Sequence, residues 1–186
     1  MDPKELGILD RNKCALIVID IQDRFKPVIH EMKRVIDNTE KLIKACQVLR
    51  IPIVVTEQYP KGLGNTLPEI FELIPHAEAI EKTNFDCFGE RKFGERIKNL
   101  GITDLILAGI ESHVCILKTA LTARLHDYNV HVVTDAVSSR KSHDHATAIE
   151  RMKQNGCFMA TTEMIIFQLL EKSDQIEFSE IREIVK

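Results

Sequence analysis

The chain has 186 residues, with 25 basic and 28 acidic side chains and a formal net charge of −3. Hydrophobic residues make up 44% and charged residues 28%, a composition typical of a globular protein with one substantial core, so we predict a single domain over residues 1–186. The near-neutral balance, without a dense Lys/Arg cluster, argues against nucleic acid or an anionic membrane surface as the main partner, and no apolar run is long enough to span a bilayer.

The first half of the chain alternates short apolar runs with an amphipathic stretch. Residues 14–20 read Cys-Ala-Leu-Ile-Val-Ile-Asp, and this unbroken apolar run predicts a strand that is covered on both faces. Apolar residues at helical spacing over 31–50 predict a helix, Pro52 prevents its continuation, and residues 53–55 predict the second strand. Residues 59–67 are rich in Pro and Gly and predict a loop.

The same alternation continues through the rest of the chain. We predict strands at 77–81 (the weakest signal), 105–108, 130–134 and 157–160, and helices at 89–99, 113–128, 142–154, 162–170 and 177–185. Strands that alternate with helices imply right-handed crossovers, so we predict a three-layer, doubly wound α/β fold with a mainly parallel sheet flanked by helices. Such sheets bind ligands beyond the carboxyl ends of their strands.

Five cysteines are spread along the chain without a CxxC motif: Cys14, Cys46, Cys87, Cys115 and Cys157. An odd number at wide spacing does not suit a disulfide framework or a zinc finger. The N-terminus is too polar for a secretory signal. We therefore predict reduced thiols and a cytoplasmic location.

Three chemically useful side chains lie at or near the ends of predicted strands. Asp20 closes the first strand, Lys82 follows the third, and Cys115 comes a few residues after the fourth. Singly, these are most simply a turn residue, a solvated lysine and a small core residue. Together, they could converge at the carboxyl edge of the sheet. A helix N-terminus and a nearby lysine favour a thiolate, and a carboxylate can shuttle protons, so the set indicates an activated cysteine nucleophile.

The segments around these residues resemble the isochorismatase-like cysteine hydrolase superfamily. Its marks are an apolar strand ending in Asp, a Lys, and a Gly-x-x-(Ser/Thr)-x-x-Cys segment, which match Ala15–Phe25, Glu81–Phe85 and Ala108–Cys115. The resemblance covers about residues 10–172 of the predicted domain. Residues 56–64 and 132–140 further resemble the isochorismatase domain-containing branch of that superfamily.

The resemblance implies a role for each matching residue. Cys115 would attack a substrate carbonyl, Asp20 would take and return the proton, and Lys82 would lower the pKa of the thiol. The peptide bond between Ile110 and Glu111 is expected to be cis. The backbone N–H groups of Glu111 and Cys115 would then form an oxyanion hole.

Other residues near the motifs have weaker signals. Phe25, Tyr59 and Phe85 flank the motif loops and are candidates for the walls of a substrate pocket, although core packing explains Phe25 and Phe85 nearly as well. Asp135 follows a predicted strand, and we favour a cap for the next turn over a place at the border of the site.

The histidines do not form a convincing set. His113 could pair with Cys115, but side chains two residues apart on a helical turn diverge, so we rank His113 below Lys82 as the activator. For the same reason, His143 and His145 point to different faces of their helix, and we favour a solvated helix N-terminus there.

Metal-dependent nicotinamidases of the superfamily carry Asp-x-His and a second His between the strand-end Asp and the Lys. Here that interval contains Thr56-Glu57-Gln58, with only His30 and His76 elsewhere in it. We therefore predict no bound metal and no other cofactor, and the case for nicotinamide as the substrate is lowered.

The leading hypothesis is a hydrolase that splits a small carbonyl compound, most simply an amide, through a Cys115 thioester. One alternative is a binding or scaffold protein with an inert site. Another is a thiol redox sensor, which would need a second cysteine within disulfide reach of Cys115.

Two further expectations concern assembly and pH. Members of the superfamily commonly assemble, and residues 59–76 are rich in apolar side chains, so we predict a homo-oligomer; the alternative is that this segment folds onto its own core. We also expect Lys82 and the helix N-terminus to lower the Cys115 pKa below roughly 8.5, with Asp20 opposing them and titrating jointly with the thiol.

Overall fold

The computed structural model describes residues 3–186 of the chain. Six strands form one sheet: β1 (Cys14–Ile19), β2 (Ile53–Gln58), β3 (Ile80–Lys82), β4 (Asp104–Ile110), β5 (Asn129–Ser138) and β6 (Phe158–Ala160). Their order across the sheet is β3-β2-β1-β4-β5-β6, and every neighbouring pair is parallel. The chain order reverses between β1 and β4, so the carboxyl ends of these strands border the crevice in which doubly wound folds bind ligands.

The α-helices are α1 (Met32–Val48), α2 (Pro60–Leu63), α3 (Pro68–Phe71), α4 (Arg91–Leu100), α5 (Leu117–Leu125), α6 (Ser142–Gln154), α7 (Thr162–Leu170) and α8 (Phe178–Val185). Helices α1, α7 and α8 pack on one face of the sheet, and α4, α5 and α6 pack on the other. This arrangement confirms the predicted three-layer α/β fold. Over residues 3–186, none of the helices combines the length and apolar character that a membrane span requires.

The apolar run of β1 is explained by its central position in the sheet. Leu16 and Val18 pack into the core beneath α1, while Ala15, Ile17 and Ile19 pack into the core beneath α4 and α5. A strand that is buried on both faces has no polar positions to alternate with apolar ones. The predicted strand over residues 14–20 is therefore the centre of the fold.

Two elements near the candidate site differ from their predicted form. The predicted helix over 113–128 is divided, because residues Ser112–Ile116 form a π-helical turn and α5 begins only at Leu117. Strand β5 extends well beyond the predicted 130–134, and its last residue, Ser138, lies beside Ile110 at the end of β4. Apolar spacing does not distinguish a wide helical turn from an α-helix, and π-turns are frequent at functional sites.

The segment over residues 59–76 folds onto the chain's own core. Part of the predicted loop over 59–67 is instead the short helix α2, which begins at a proline, a favoured first helical residue. Leu67, Ile70 and Ile74 are buried in the core that lies beneath α1. Most of the apolar content of this segment is thus used within one chain, so it no longer supports a subunit interface.

Gly109 allows β4 to approach β1 closely just before the candidate site. Its φ is +119°, and a Cβ atom built on it would lie 2.0 Å from the carbonyl oxygen of Ile19. The register between β4 and β5 also shifts between Leu107 and Gly109. Only glycine fits this backbone conformation and this contact.

We predict that Gly109→Ala lowers the free energy of unfolding by about 2–5 kcal/mol, because it adds both backbone strain and a clash with the main chain of β1. Gly94 is the matched control, since nothing lies within 4 Å of the Cβ position that would be added in α4. Gly94→Ala should raise stability by about 0.5–1 kcal/mol through its higher helix propensity. Urea unfolding of both variants measures the difference, and equal stabilities would contradict this account of Gly109.

Candidate active site

Asp20, Lys82 and Cys115 converge beyond the carboxyl ends of three strands. Asp20 directly follows β1, Lys82 is the last residue of β3, and Cys115 lies in the π-helical turn after β4. The Lys82 ammonium nitrogen lies 2.7 Å from Asp20 Oδ2 and 3.6 Å from Cys115 Sγ. All three residues are buried, with Cys115 the most accessible at 6% exposure.

The Asp20 carboxylate is held by hydrogen bonds on both oxygens. Thr56 donates its hydroxyl to Oδ1 at 2.7 Å, and Lys82 donates to Oδ2 at 2.7 Å. The backbone of Asp20 has a φ of +55°, a left-handed conformation that aspartate tolerates better than most residues. Asp20 is therefore turned into the site instead of capping the following turn.

The Lys82 ammonium has further partners that sequence reasoning missed. It donates to Gln58 Oε1 at 2.7 Å and makes a longer contact of 3.3 Å with the Asn84 carbonyl oxygen. Burial works to lower the pKa of Lys82, but the charge of the Asp20 carboxylate works against it, and this pKa is raised. The ammonium stays charged inside the protein.

The Cys115 thiol is neutral in the resting site. Burial raises the pKa of Cys115 above its ordinary range, the Asp20 carboxylate raises it further, and the Lys82 ammonium opposes both without cancelling them. The predicted lowering of this pKa is wrong, because the thiol is almost completely desolvated and faces an anion as well as a cation. The site therefore combines a thiol with a carboxylate that can accept its proton.

The turn that carries Cys115 is held from both ends. Val114 and Ile116 donate their N–H groups to the Glu111 carbonyl oxygen at 3.0 and 3.2 Å. The Glu111 carboxylate accepts from the backbone N–H and from Nε of Arg140, each at 3.0 Å. The Ile110–Glu111 peptide bond is cis. Within residues 3–186, the Glu111 N–H group has no hydrogen-bond acceptor.

The three aromatic candidates lie in different surroundings. Tyr59 and Phe85 are 54% and 51% exposed, and Tyr59 lines a cavity of about 300 Å³ together with Lys82 and Thr83. Phe25 is half-buried and packs against the core on the α1 side of the sheet. Core packing therefore explains Phe25, while Tyr59 and Phe85 remain available at the surface.

Two of the candidate histidines make hydrogen bonds with serines. His113 Nδ1 lies 2.9 Å from Ser139 Oγ, and His145 Nδ1 lies 2.9 Å from Ser112 Oγ. In the part of the chain that the structure describes, no three His, Cys, Asp or Glu side chains are grouped so that they could hold a metal ion.

Asp135 also has a structural partner. Its carboxylate accepts from the backbone N–H and the hydroxyl of Thr162 at 2.8 and 2.9 Å, at the start of α7. The acidic side chain thus satisfies N–H and O–H donors at the N-terminus of α7. The predicted cap of the next turn is wrong, because β5 continues past Asp135 to Ser138 and the carboxylate meets a helix 27 residues further along the chain.

A second thiol, Cys87, lies close to the same charges. Its N–H group donates to Thr119 Oγ1 at 3.0 Å, and Thr119 lies about one turn after Cys115. Burial, followed by the Asp20 carboxylate, raises the pKa of Cys87 to about 12. All five cysteines are buried free thiols.

Comparison with known proteins gives consistent matches over nearly the whole chain. The Isochorismatase domain model matches residues 14–164. "Isochorismatase domain-containing protein 2" of Danio rerio is 38% identical over 183 residues, which are 97% of this chain and 90% of the relative.

Two solved structures illustrate the structural similarity. The MAR1 ribonuclease from Caenorhabditis elegans is 37% identical, with a TM-score of 0.89 over 95% of this chain and 91% of its own. The ycaC gene product of Escherichia coli, described as an octameric hydrolase of unknown specificity, is 24% identical, with a TM-score of 0.86 over 95% of this chain and 94% of its own. At this level of identity, the similarity to the E. coli protein is evidence for the fold alone.

The charges around Cys115 predict opposite pH shifts in two variants. Lys82→Met removes the cation that favours the thiolate, so the pH midpoint of Cys115 alkylation by iodoacetamide should rise by about 1 unit or more. Asp20→Asn removes the anion that disfavours the thiolate, so the midpoint should fall. Peptide mass spectrometry across a pH series measures both, with the exposed-lysine variant Lys92→Met as the control. An unchanged midpoint in Lys82→Met would contradict a role for Lys82 in the state of the thiol.

Proposed function

The chain belongs to the isochorismatase family, as its motifs indicate, and we propose that it is a cysteine-dependent hydrolase that splits a small amide through a thioester on Cys115. The observation that carries this proposal is the buried contact of one ammonium with both a carboxylate and a thiol. A nucleophile, a proton acceptor and a fixed positive charge within one site are the parts that nucleophilic acyl transfer needs.

In the first step, Asp20 accepts the thiol proton as Cys115 Sγ attacks the carbonyl carbon of the substrate. The raised pKa of the thiol suits this order of events, since the proton leaves only as the new sulfur–carbon bond forms. Negative charge moves from the carboxylate towards the sulfur and the substrate oxygen. The Lys82 ammonium contacts both the Asp20 carboxylate and the Cys115 sulfur, so the negative charge stays paired with a positive one throughout the step.

The carbonyl oxygen becomes an oxyanion that the N–H groups of Glu111 and Cys115 stabilise. Among the described residues 3–186 the Glu111 N–H has no acceptor, which supports this assignment, and losing one such donor typically costs about 3–4 kcal/mol of transition-state stabilisation. The carbon–nitrogen bond then breaks, and the leaving nitrogen takes the proton from Asp20. Water attacks the thioester with Asp20 again as base, which releases the acid and returns the proton to the sulfur.

The surroundings of the thiol indicate a small substrate. Cys115 is only 6% exposed, so a bulky acyl group has little access to its sulfur. Tyr59 and Phe85 are exposed and are the residues that we assign to the walls of the substrate site, whereas Phe25 packs against the core on the α1 side of the sheet.

Cys115→Ala should abolish acyl transfer, because Cys87, the other thiol near these charges, is fully buried and out of reach of a substrate. 4-Nitrophenyl acetate, an activated acyl donor, serves as the probe; intact-mass spectrometry detects the acetyl adduct and absorbance follows nitrophenolate release. We expect a loss of about 10³-fold or more in Cys115→Ala. Cys157→Ala, another buried thiol outside the site, should retain the wild-type rate.

Other outcomes of this experiment identify the alternatives. Full turnover in Cys115→Ala would overturn the nucleophile assignment. A folded wild-type protein that forms no adduct on Cys115 would be a binding or scaffold protein. Because the C. elegans neighbour is named a ribonuclease, the same two proteins should also be incubated with single-stranded RNA, and cleavage by both would indicate an activity independent of the thiol.

We also propose that the protein is a homo-oligomer, as the E. coli hydrolase of the same fold is described to be. Light scattering at micromolar concentration should give a mass that is a multiple of that of one chain. A mass equal to that of one chain would contradict this.

A further inference from the structure

The orientation of the Lys82 ammonium depends on a residue outside the three that were predicted from the sequence. An ammonium carries three N–H donors. Two short bonds of 2.7 Å go to Asp20 Oδ2 and Gln58 Oε1. The remaining donor is left for the longer contacts, 3.3 Å to the Asn84 carbonyl oxygen and 3.6 Å to Cys115 Sγ. Gln58 thus determines which N–H is left to face the sulfur.

The Gln58 side chain can adopt only one orientation in this network. Its Nε2 donates to the Thr83 carbonyl oxygen at 2.9 Å, while its Oε1 accepts from Lys82. A flipped amide would place two N–H donors against the ammonium and an oxygen against a carbonyl, which removes both bonds. The hydrogen-bond pattern therefore fixes the amide oxygen on Lys82.

The backbone of Gln58 is held just as firmly. Its N–H donates to Gln22 Oε1 at 2.8 Å, and its carbonyl oxygen accepts from Gln22 Nε2 at 3.0 Å. Gln22 is fully buried, and its Nε2 also bonds to the Gly64 carbonyl. The end of β2 is thereby locked to the segment that follows Asp20, and the amide of Gln58 has little freedom to move away from Lys82.

We propose that Gln58 is a positioning residue of this site, which holds the Lys82 ammonium so that one N–H faces the sulfur of Cys115 and so sets the pH range in which that thiol reacts. The proposal rests on the proposed role of Cys115 as the nucleophile. Gln58 acts through Lys82, to which its amide oxygen bonds, and not on the thiol directly.

An uncharged acceptor at position 58 has a physical reason. Asp20 already places one negative charge beside the thiol, and a second carboxylate on Lys82 would disfavour the thiolate further. An apolar side chain would instead leave a buried ammonium N–H without an acceptor. A primary amide supplies the acceptor without the charge.

The test is the pH profile of Cys115 alkylation by iodoacetamide in the full chain, followed by peptide mass spectrometry. In Gln58→Glu, the added negative charge should raise the midpoint by about 1 pH unit or more. In Gln58→Met, the ammonium loses its fixed orientation, and the midpoint should rise by a smaller amount. Gln58→Glu preserves the shape of the side chain, so it carries the test even if Gln58→Met does not fold.

Glu57→Gln is the matched control. It makes the reverse exchange, of a carboxylate for an amide, one residue earlier in β2. The Glu57 carboxylate bonds to the N–H and hydroxyl of Thr66, not to Lys82. Glu57→Gln should not raise the midpoint. A rise equal to that of Gln58→Glu would assign the effect to a general disturbance of β2 and would overturn the proposal.

A double variant shows whether Gln58 acts through Lys82. In a Lys82→Met background, adding Gln58→Met should cause no further displacement of the midpoint, because the group that Gln58 orients is gone. An unaltered midpoint in both single Gln58 variants, or a full additional displacement in the double variant, would overturn the positioning role. Failure of the proposed function looks different: the wild-type protein would then form no acetyl adduct on Cys115 with 4-nitrophenyl acetate.

Discussion

A buried ion pair between Lys82 and Asp20 is the interaction on which the rest of the site depends. Removing a carboxylate and an ammonium from water costs several kcal/mol per ion, and their mutual attraction offsets this only when their remaining hydrogen bonds are also satisfied. Thr56 supplies one such partner to Asp20, and Gln58 supplies another to Lys82. Both partners lie in β2, between the strands whose ends carry Asp20 and Lys82. Any shift in strand register would therefore leave a buried charge without its partners.

The topology of the sheet is what brings these strand ends together. Parallel strands present their carboxyl ends at one edge, and the reversal of chain order between β1 and β4 opens a crevice there. Gly109 allows β4 to lie against the main chain of Ile19, and the π-helical turn that follows carries Cys115 towards the ion pair. The pairing of Glu111 with Arg140 attaches the start of that turn to the end of β5. Contacts with β1 on one side and with the segment after β5 on the other thus hold the turn that carries Cys115 in place.

The same ion pair determines how the thiol can react. Because Asp20 and the lack of solvent disfavour a thiolate, the resting nucleophile is protonated, and its activation must coincide with bond formation. The ammonium contacts both the carboxylate and the sulfur, so the proton can move between them while the net charge of the site stays constant. This differs from a cysteine activated by a permanently lowered pKa, in which the thiolate exists before the substrate arrives. A protonated resting thiol also limits side reactions with solvent oxidants, since the thiolate is the reactive form.

Much of this protein follows from its sequence alone. Hydrophobic periodicity is a local property, so the strand over residues 14–20, the helix over 31–50 and the alternation that produces the parallel sheet can be read without coordinates. Asp20, Lys82 and Cys115 could be selected because their positions relative to predicted strand ends follow from that alternation.

Only the tertiary structure decided the contacts and the electrostatics. Gln58 lies outside the predicted strand over 53–55 and is not selected by the sequence, because nothing local shows that its amide meets Lys82 and Thr83 from a neighbouring strand. The π-helical turn replaced a predicted α-helix because apolar spacing is insensitive to one added residue per turn. The Cys115 pKa is raised, not lowered as predicted, because desolvation of the thiol and its distances to two opposite charges depend on how separate segments pack. Periodicity along one segment carries no information about the desolvation of the thiol or its distances to the charges, since both are set by atoms that are distant in the chain.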